Sequence, residues 1–135
     1  MSRERAMAFE RAWARTLAVL LFAYASASLV HHVHNAEFLS EYPNMPAWIT
    51  RSSVYAAWAC ETMLGVAGYL LLRRGHTAFG LGVIAVYAAL GFDAFVHYAL
   101  APARAHTAAM NATIWLEAAA AALVFVALAA RARRP

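Results

Sequence analysis

Charge is what this chain has least of. Only 13% of its 135 residues are charged, against 64% hydrophobic, a balance that belongs to membrane proteins and leaves no stretch for a separate soluble domain. Cysteine occurs once, at Cys60, which excludes an internal disulfide; its expected role is that of a small buried apolar residue. There is no glycine-rich phosphate loop and no serine set beside a His-Asp pair, so ATP-driven functions and triad hydrolases fit poorly. Zinc-finger spacing, a recognition helix and an aromatic-basic stripe are also missing, and nucleic acid is not an expected partner.

What is present is apolar sequence in long runs, with a mean hydropathy of +0.55. Four stretches, about 17–40, 47–72, 78–100 and 108–130, are each long enough to cross roughly 30 Å of hydrocarbon at about 1.5 Å per residue. The expected fold is all-α: an integral-membrane, up-down four-helix bundle forming one domain over 1–135. The first run is too long for the core of a signal peptide and ends in histidines. Nine arginines fall in the N-terminal stretch, the 73–76 turn and the C-terminal tail, and only Arg51 and Arg104 fall on the other side. The positive-inside rule therefore puts both termini in the cytoplasm, most simply of a bacterial inner membrane. The pI of about 9.7 follows from that topology, the arginines being placed to meet anionic membrane lipids.

The breakpoints are marked by residue type. Pro46 suits the first turn of the second helix, Thr77 and Thr107 suit caps of the third and fourth, and Pro102 ends the third. Gly65, Gly68, Gly80, Gly82 and the run 118–122 supply small surfaces for close helix packing. Trp13, Trp48 and Trp115 lie near boundaries, as interface anchors do.

Ionisable groups are expensive inside a bilayer, so their placement is the main pointer to function. His34 and Asp93 fall within about 10 Å of the boundary remote from the termini, His97 and Asn111 closer to it, and Glu61 and Glu117 nearer the midplane. His34 and Glu37, His31 and Asn35, and Asp93 and His97 share helix faces. The expected object is a polar pocket faced by His34, Glu61, Asp93, His97 and Glu117, with Glu37 and Asn111 at its rim and Trp58 as a wall. His31 and His32 point about 100 degrees apart, so only one of them is expected to face it. Plainer roles stand beside these: Asp93 and His97 as a mutual hydrogen bond at an interfacial helix end, Glu61 and Glu117 as polar glue between helices, His106 as an interfacial loop residue and His76 as a turn residue.

The stretch HNAEFLSEYPNMPAW from His34 to Trp48 resembles the membrane-protein family named for its His-x-x-Glu-Glu motif (HXXEE). His34 and Glu37 match the first histidine and first glutamate, while Phe38 replaces the second glutamate. The later stretch GFDAFVHYAL looks like that family's habit of placing a polar residue a turn before a histidine. The likeness supports the location of the site and implies no reaction. A looser similarity is to the EXPERA superfamily of sterol isomerases and sigma-2 receptors, in which polar groups sit in a lipid-facing cavity within a helix bundle.

Three classes of function follow. A metal-free acid-base enzyme acting on a lipid-soluble molecule such as a terpenoid or sterol-like lipid would use Glu61 and Glu117 as acid and base, His34 and Asp93 as relay and orienter, and Asn111 as a donor to a developing oxyanion. Isomerisation or hydrolysis would result. A metal-centred oxidoreductase would draw its ligands from His34, Glu37, Asp93 and His97, completed by Glu61 or Glu117. That donor set suits Fe, Mn or Zn, and a haem between His97 and His31 or His34 is a variant. The third class is non-enzymatic: a small accessory membrane subunit, a lipid or terpenoid binder, or a proton-linked transporter component, for which a homodimer would build a path between protomers.

Overall fold

In a computed structural model of the protein, residues 2–133 are described. Helix α1 spans Arg3–Glu37, α2 Arg51–Arg73, α3 Thr77–Leu90, α4 Val96–Leu100 and α5 Ala108–Ala132, with single 3-10 turns at Leu39–Glu41, Asp93–Phe95 and Ala103–Ala105. Taking α3 and α4 as one interrupted strut, the chain is an up-down bundle of four helical segments, each long and apolar enough to cross a membrane. α1 packs on α5 and α2, and α3 packs on α2 and α5, which closes the ring. One end of the bundle carries the 74–76 turn with the start of α1 and the end of α5; the other, here called the distal end, carries the two longer connections.

α1 is longer than the apolar pattern predicts, starting at Arg3 where the hydropathy reading starts at residue 17. No glycine or proline stands between Ser2 and Tyr42 to stop it, so the helix runs through its own charged first turns. That extension is anchored on α5: the Trp13 indole donates to the Ala127 carbonyl at 2.8 Å, and Glu10 pairs with Arg131 at 3.2 Å. Trp13 is therefore a buried link between two helices and not the boundary anchor its position suggests. Trp48 and Trp115 do lie on the surface.

α2 starts later than expected. Pro46 opens a turn closed by Ile49, and the helix begins after Thr50, whose side chain takes the Ser53 amide at 3.2 Å while the Ser53 hydroxyl lies 2.9 Å from the Thr50 amide. It ends in a Schellman motif, with Gly75 at φ +86° and the His76 amide bonded to the Leu71 carbonyl. Thr77 is the first residue of α3, with His76 in the cap position and no side-chain cap bond. Thr107 does cap α5, accepting from the Met110 amide at 3.2 Å.

α2 and α3 meet through glycine. A Cβ on Gly80 would fall 2.7 Å from the Leu72 backbone nitrogen, and one on Gly65 would fall 2.5 Å from the Tyr87 ring. Gly82 faces open space and takes no part. The core, built around Leu17, Tyr24, Ile84, Tyr87 and Val124, is fully buried. The outer surface is apolar in turn, with Phe22 76% and Phe79 73% exposed, the surface a lipid solvent accepts. Cys60 is on that exposed face of α2, contrary to the buried position expected for it.

Candidate functional site

The interruption between α3 and α4 builds the site. α2 packs closely on α3, but toward the distal end it has no comparable contact with α4. The wedge left between them is a cavity of about 450 Å³ with Glu61 on α2, Asp93 and His97 on the opposite wall, and His31, His32 and Asn35 of α1 behind it. Trp48, Ile49, Val96 and Leu100 are among its apolar lining. That volume lies in the range of small-molecule sites.

Histidines and carboxylates alternate through the cluster. His31 Nε2 is 3.8 Å from Glu117 Oε2, His32 Nδ1 is 4.0 Å from Glu117 Oε1, and His32 Nε2 is 4.0 Å from Glu61 Oε2. The series runs from the fully buried Glu117 outward to Glu61 on the cavity wall. Tautomers follow from the other ring nitrogens. His32 Nδ1 lies 2.9 Å from the Ser28 carbonyl, which can only accept, so Nδ1 carries the proton. His31 Nδ1 faces Thr113 Oγ1 at 3.3 Å; that hydroxyl already donates to the Met110 carbonyl, so Nδ1 donates here too. Both Nε2 atoms therefore present a lone pair to a carboxyl group. Asn35 donates to His97 Nε2 at 3.2 Å, and the His97 ring packs edge-on against His31 at 5.3 Å between centroids.

The carboxyl groups are short of donors. Glu61 Oε2 and both oxygens of Glu117 make no well-formed hydrogen bond, with Ser28 the hydroxyl beside Glu117. A buried carboxylate in this condition is costly unless it holds a proton or is paired.

Of the residues singled out from the sequence, Glu61, Asp93 and His97 line the cavity and Glu117 closes the cluster behind His31 and His32. His34 is elsewhere: its Nδ1 lies 2.9 Å from the Tyr42 hydroxyl, on a different face of α1. Tyr42 is itself buried, and burial pushes its phenol up to about 12, so it remains a neutral hydroxyl. Glu37 is outside the cavity, held by Arg51 and Tyr55. Asn111 ties Tyr98 to the 103–106 turn, and the Trp58 indole points at the Ala25 carbonyl. Asp93 and His97 are not one α-helical turn apart, because Asp93 belongs to the 3-10 turn that precedes α4.

His31 and His32 both enter the cluster, where the sequence reading admits only one. Their angular separation brackets Glu117 between them, His31 reaching toward α5 and His32 toward α2. A signal was present: Ser28, His31, His32 and Asn35 fall at i, i+3, i+4 and i+7, an unbroken polar stripe. His106 is likewise buried, its Nδ1 donating to Pro102 and its ring packed near Tyr98 and His97.

His34, Glu37, Asp93 and His97 are thus not brought together as one ligand set. Among the described residues no group of three or more His, Cys, Asp or Glu side chains is arranged to hold a metal ion. The edge-on contact of His31 with His97 also leaves no room between their rings for a porphyrin. In comparison with known proteins, the chain matches no family model, no curated protein and no solved structure.

Proposed function

We propose that this chain is a membrane-embedded acid-base enzyme that isomerises a lipid-soluble molecule held in the cavity between α2 and α4, and that it lies in a bacterial inner membrane with both termini in the cytoplasm. The observation that carries this reading is the alternation of His31, Glu117, His32 and Glu61, which connects a buried carboxyl to one facing the cavity. The orientation rests on the arginine distribution.

In this mechanism Glu61 gives its proton to one carbon of the substrate, and Asp93 on the opposite wall removes a proton from another. The double bond moves and no co-reactant is consumed. Asp93 then passes its proton to the Nε2 lone pair of His32, which hands it on to Glu61 and restores the starting state, with Glu117 and His31 behind it as further proton holders. Proton transfer by positioned groups of this kind contributes about 10²- to 10⁴-fold.

The test works on a mixture of lipids, so the substrate can be found by the same experiment. Purified protein in nanodiscs is incubated in D2O with the lipid extract of its source membrane, and the lipids are analysed by mass spectrometry. Enzyme-dependent deuterium at carbon in one lipid species, lost in Glu61→Gln, supports the reading. Equal incorporation by wild type and Glu61→Gln, or none by either, overturns it.

A further inference from the structure

Resting on that reading of the site, we infer the chemical class of its ligand: an uncharged lipid alcohol, which reaches the cavity sideways from the bilayer between α2 and α4 and sets its hydroxyl among Glu61, His32 and Asp93. Three independent features lead to it.

The first is the absence of a cation. The chain contains no lysine, and among the described residues no arginine lines the cavity. Arg51, on the same end of the bundle, is held by Glu37 on the exterior. Phosphate, sulfate and carboxylate headgroups depend on such groups for charge-assisted hydrogen bonds. Here they would instead meet Glu61 and Asp93.

The second is the imbalance of donors and acceptors. His31 and His32 present Nε2 lone pairs, while Glu61 Oε2, both Glu117 oxygens and Asn35 Oδ1 have no well-formed partner. A ligand whose polar end only accepts, as in an ester or ketone, can take the proton of Glu61 but leaves the His32 lone pair and the Asp93 carboxylate without a donor. A hydroxyl donates one hydrogen bond to either of these and can accept from whichever carboxyl is protonated.

The third is the approach. Between α2 and α4 the cavity is lined by apolar side chains, Val54 and Ala57 on one side and Leu100 and the 55% exposed Val96 on the other. A ligand arriving there comes out of hydrocarbon. An ammonium headgroup would match the carboxylates but would have to be stripped of water on the way in, which an alcohol largely avoids.

The experiment uses three photoreactive probes built on one hexadecyl chain with a diazirine beside the polar end: the alcohol, the amine and the phosphate monoester. The full-length protein in nanodiscs is irradiated with each, and labelled residues are mapped by mass spectrometry. The expected result is labelling of cavity residues on α2 and α4 by the alcohol, competed by unlabelled hexadecanol, with the phosphate weaker on the order of tenfold. Ala57→Trp, which fills the cavity wall, should lose the competed labelling while leaving labelling of the outer helix faces unchanged. If that variant does not fold, competition in the wild-type protein carries the test alone. Equal or greater competed labelling by the phosphate or by the amine overturns the alcohol and leaves the cavity as a binding site. Labelling confined to the outer faces, with no competition, overturns the cavity as the place of binding. The deuterium experiment with Glu61→Gln reads proton transfer separately, so the two failures are distinguishable.

Discussion

The Tyr24 hydroxyl donates to the backbone carbonyl of Tyr87 at 3.1 Å, with the two rings 4.5 Å apart. In an unbroken α3 that carbonyl would accept from the Gly91 amide, but Gly91 bonds to Ala88 instead. A side chain of α1 thus satisfies the backbone group released by the interruption, and the interruption sets Asp93 and His97 against the cavity. Buried carbonyls rarely go unpaired, so the site depends on a hydrogen bond well outside it.

Removing that bond tests the dependence. Tyr24→Phe keeps the ring and strands the carbonyl, which should cost about 1–3 kcal/mol, read as a lowered unfolding midpoint in detergent. Gly91→Ala should be at least as damaging, because its Cβ would fall 2.6 Å from the Ala121 Cβ and 2.7 Å from the Tyr24 hydroxyl. Unchanged stability in both variants would show that the interruption holds itself without Tyr24.

Two glycines of α3 form a matched pair. Gly80→Ala drives a Cβ into the Leu72 backbone at 2.7 Å, while Gly82→Ala meets nothing within 4 Å. The first should destabilise by about 1–3 kcal/mol through overpacking; the second should be neutral or stabilise by up to about 1 kcal/mol through helix propensity. Thermal unfolding of the two variants side by side gives the answer, and equal effects would remove glycine contact as the basis of α2–α3 packing.

Orientation is open to a labelling experiment. Ala47→Cys puts a thiol in the exposed distal loop, and a membrane-impermeant maleimide should modify it in intact cells. Cys60 lies in the apolar span of α2 and should give little background. Labelling of the loop cysteine only after permeabilisation would reverse the topology.

The bundle was legible because apolar runs and arginine-bearing turns act over whole segments, and small errors in a boundary leave them intact. The start of α1 and the burial of Trp13 were not, since charged residues near an end read as flanking sequence until α5 is present to receive them. The site was legible in its parts. Glu61, Asp93, His97 and Glu117 stand out because ionisable groups in apolar sequence have few alternatives. His34 drew attention through its spacing to Glu37, yet Glu37 is satisfied by Arg51 and Tyr55, so that spacing reports a rim contact. The stripe Ser28, His31, His32 and Asn35 was the better guide to the face of α1 that meets the cluster. The interruption at Gly91 had no clear signature, because the hydroxyl that receives its released carbonyl belongs to a tyrosine more than sixty residues away.

The sharpest test of the site compares histidines on the two faces of α1. His32 carries a Nε2 lone pair toward Glu61 at 4.0 Å, whereas His34 is bonded to Tyr42 outside the cavity. His32→Gln should therefore slow deuterium incorporation by roughly 10²-fold, because an amide cannot take up and return the proton that Glu61 exchanges. His34→Gln should leave incorporation within about threefold of wild type and act on stability instead, through the loss of one hydrogen bond worth about 1 kcal/mol. Both rates are to be measured on protein whose folded fraction has been checked by thermal unfolding. If His34→Gln abolishes exchange and His32→Gln spares it, the relay runs along the other face of α1, and the alternation of His31, Glu117, His32 and Glu61 is polar glue between helices.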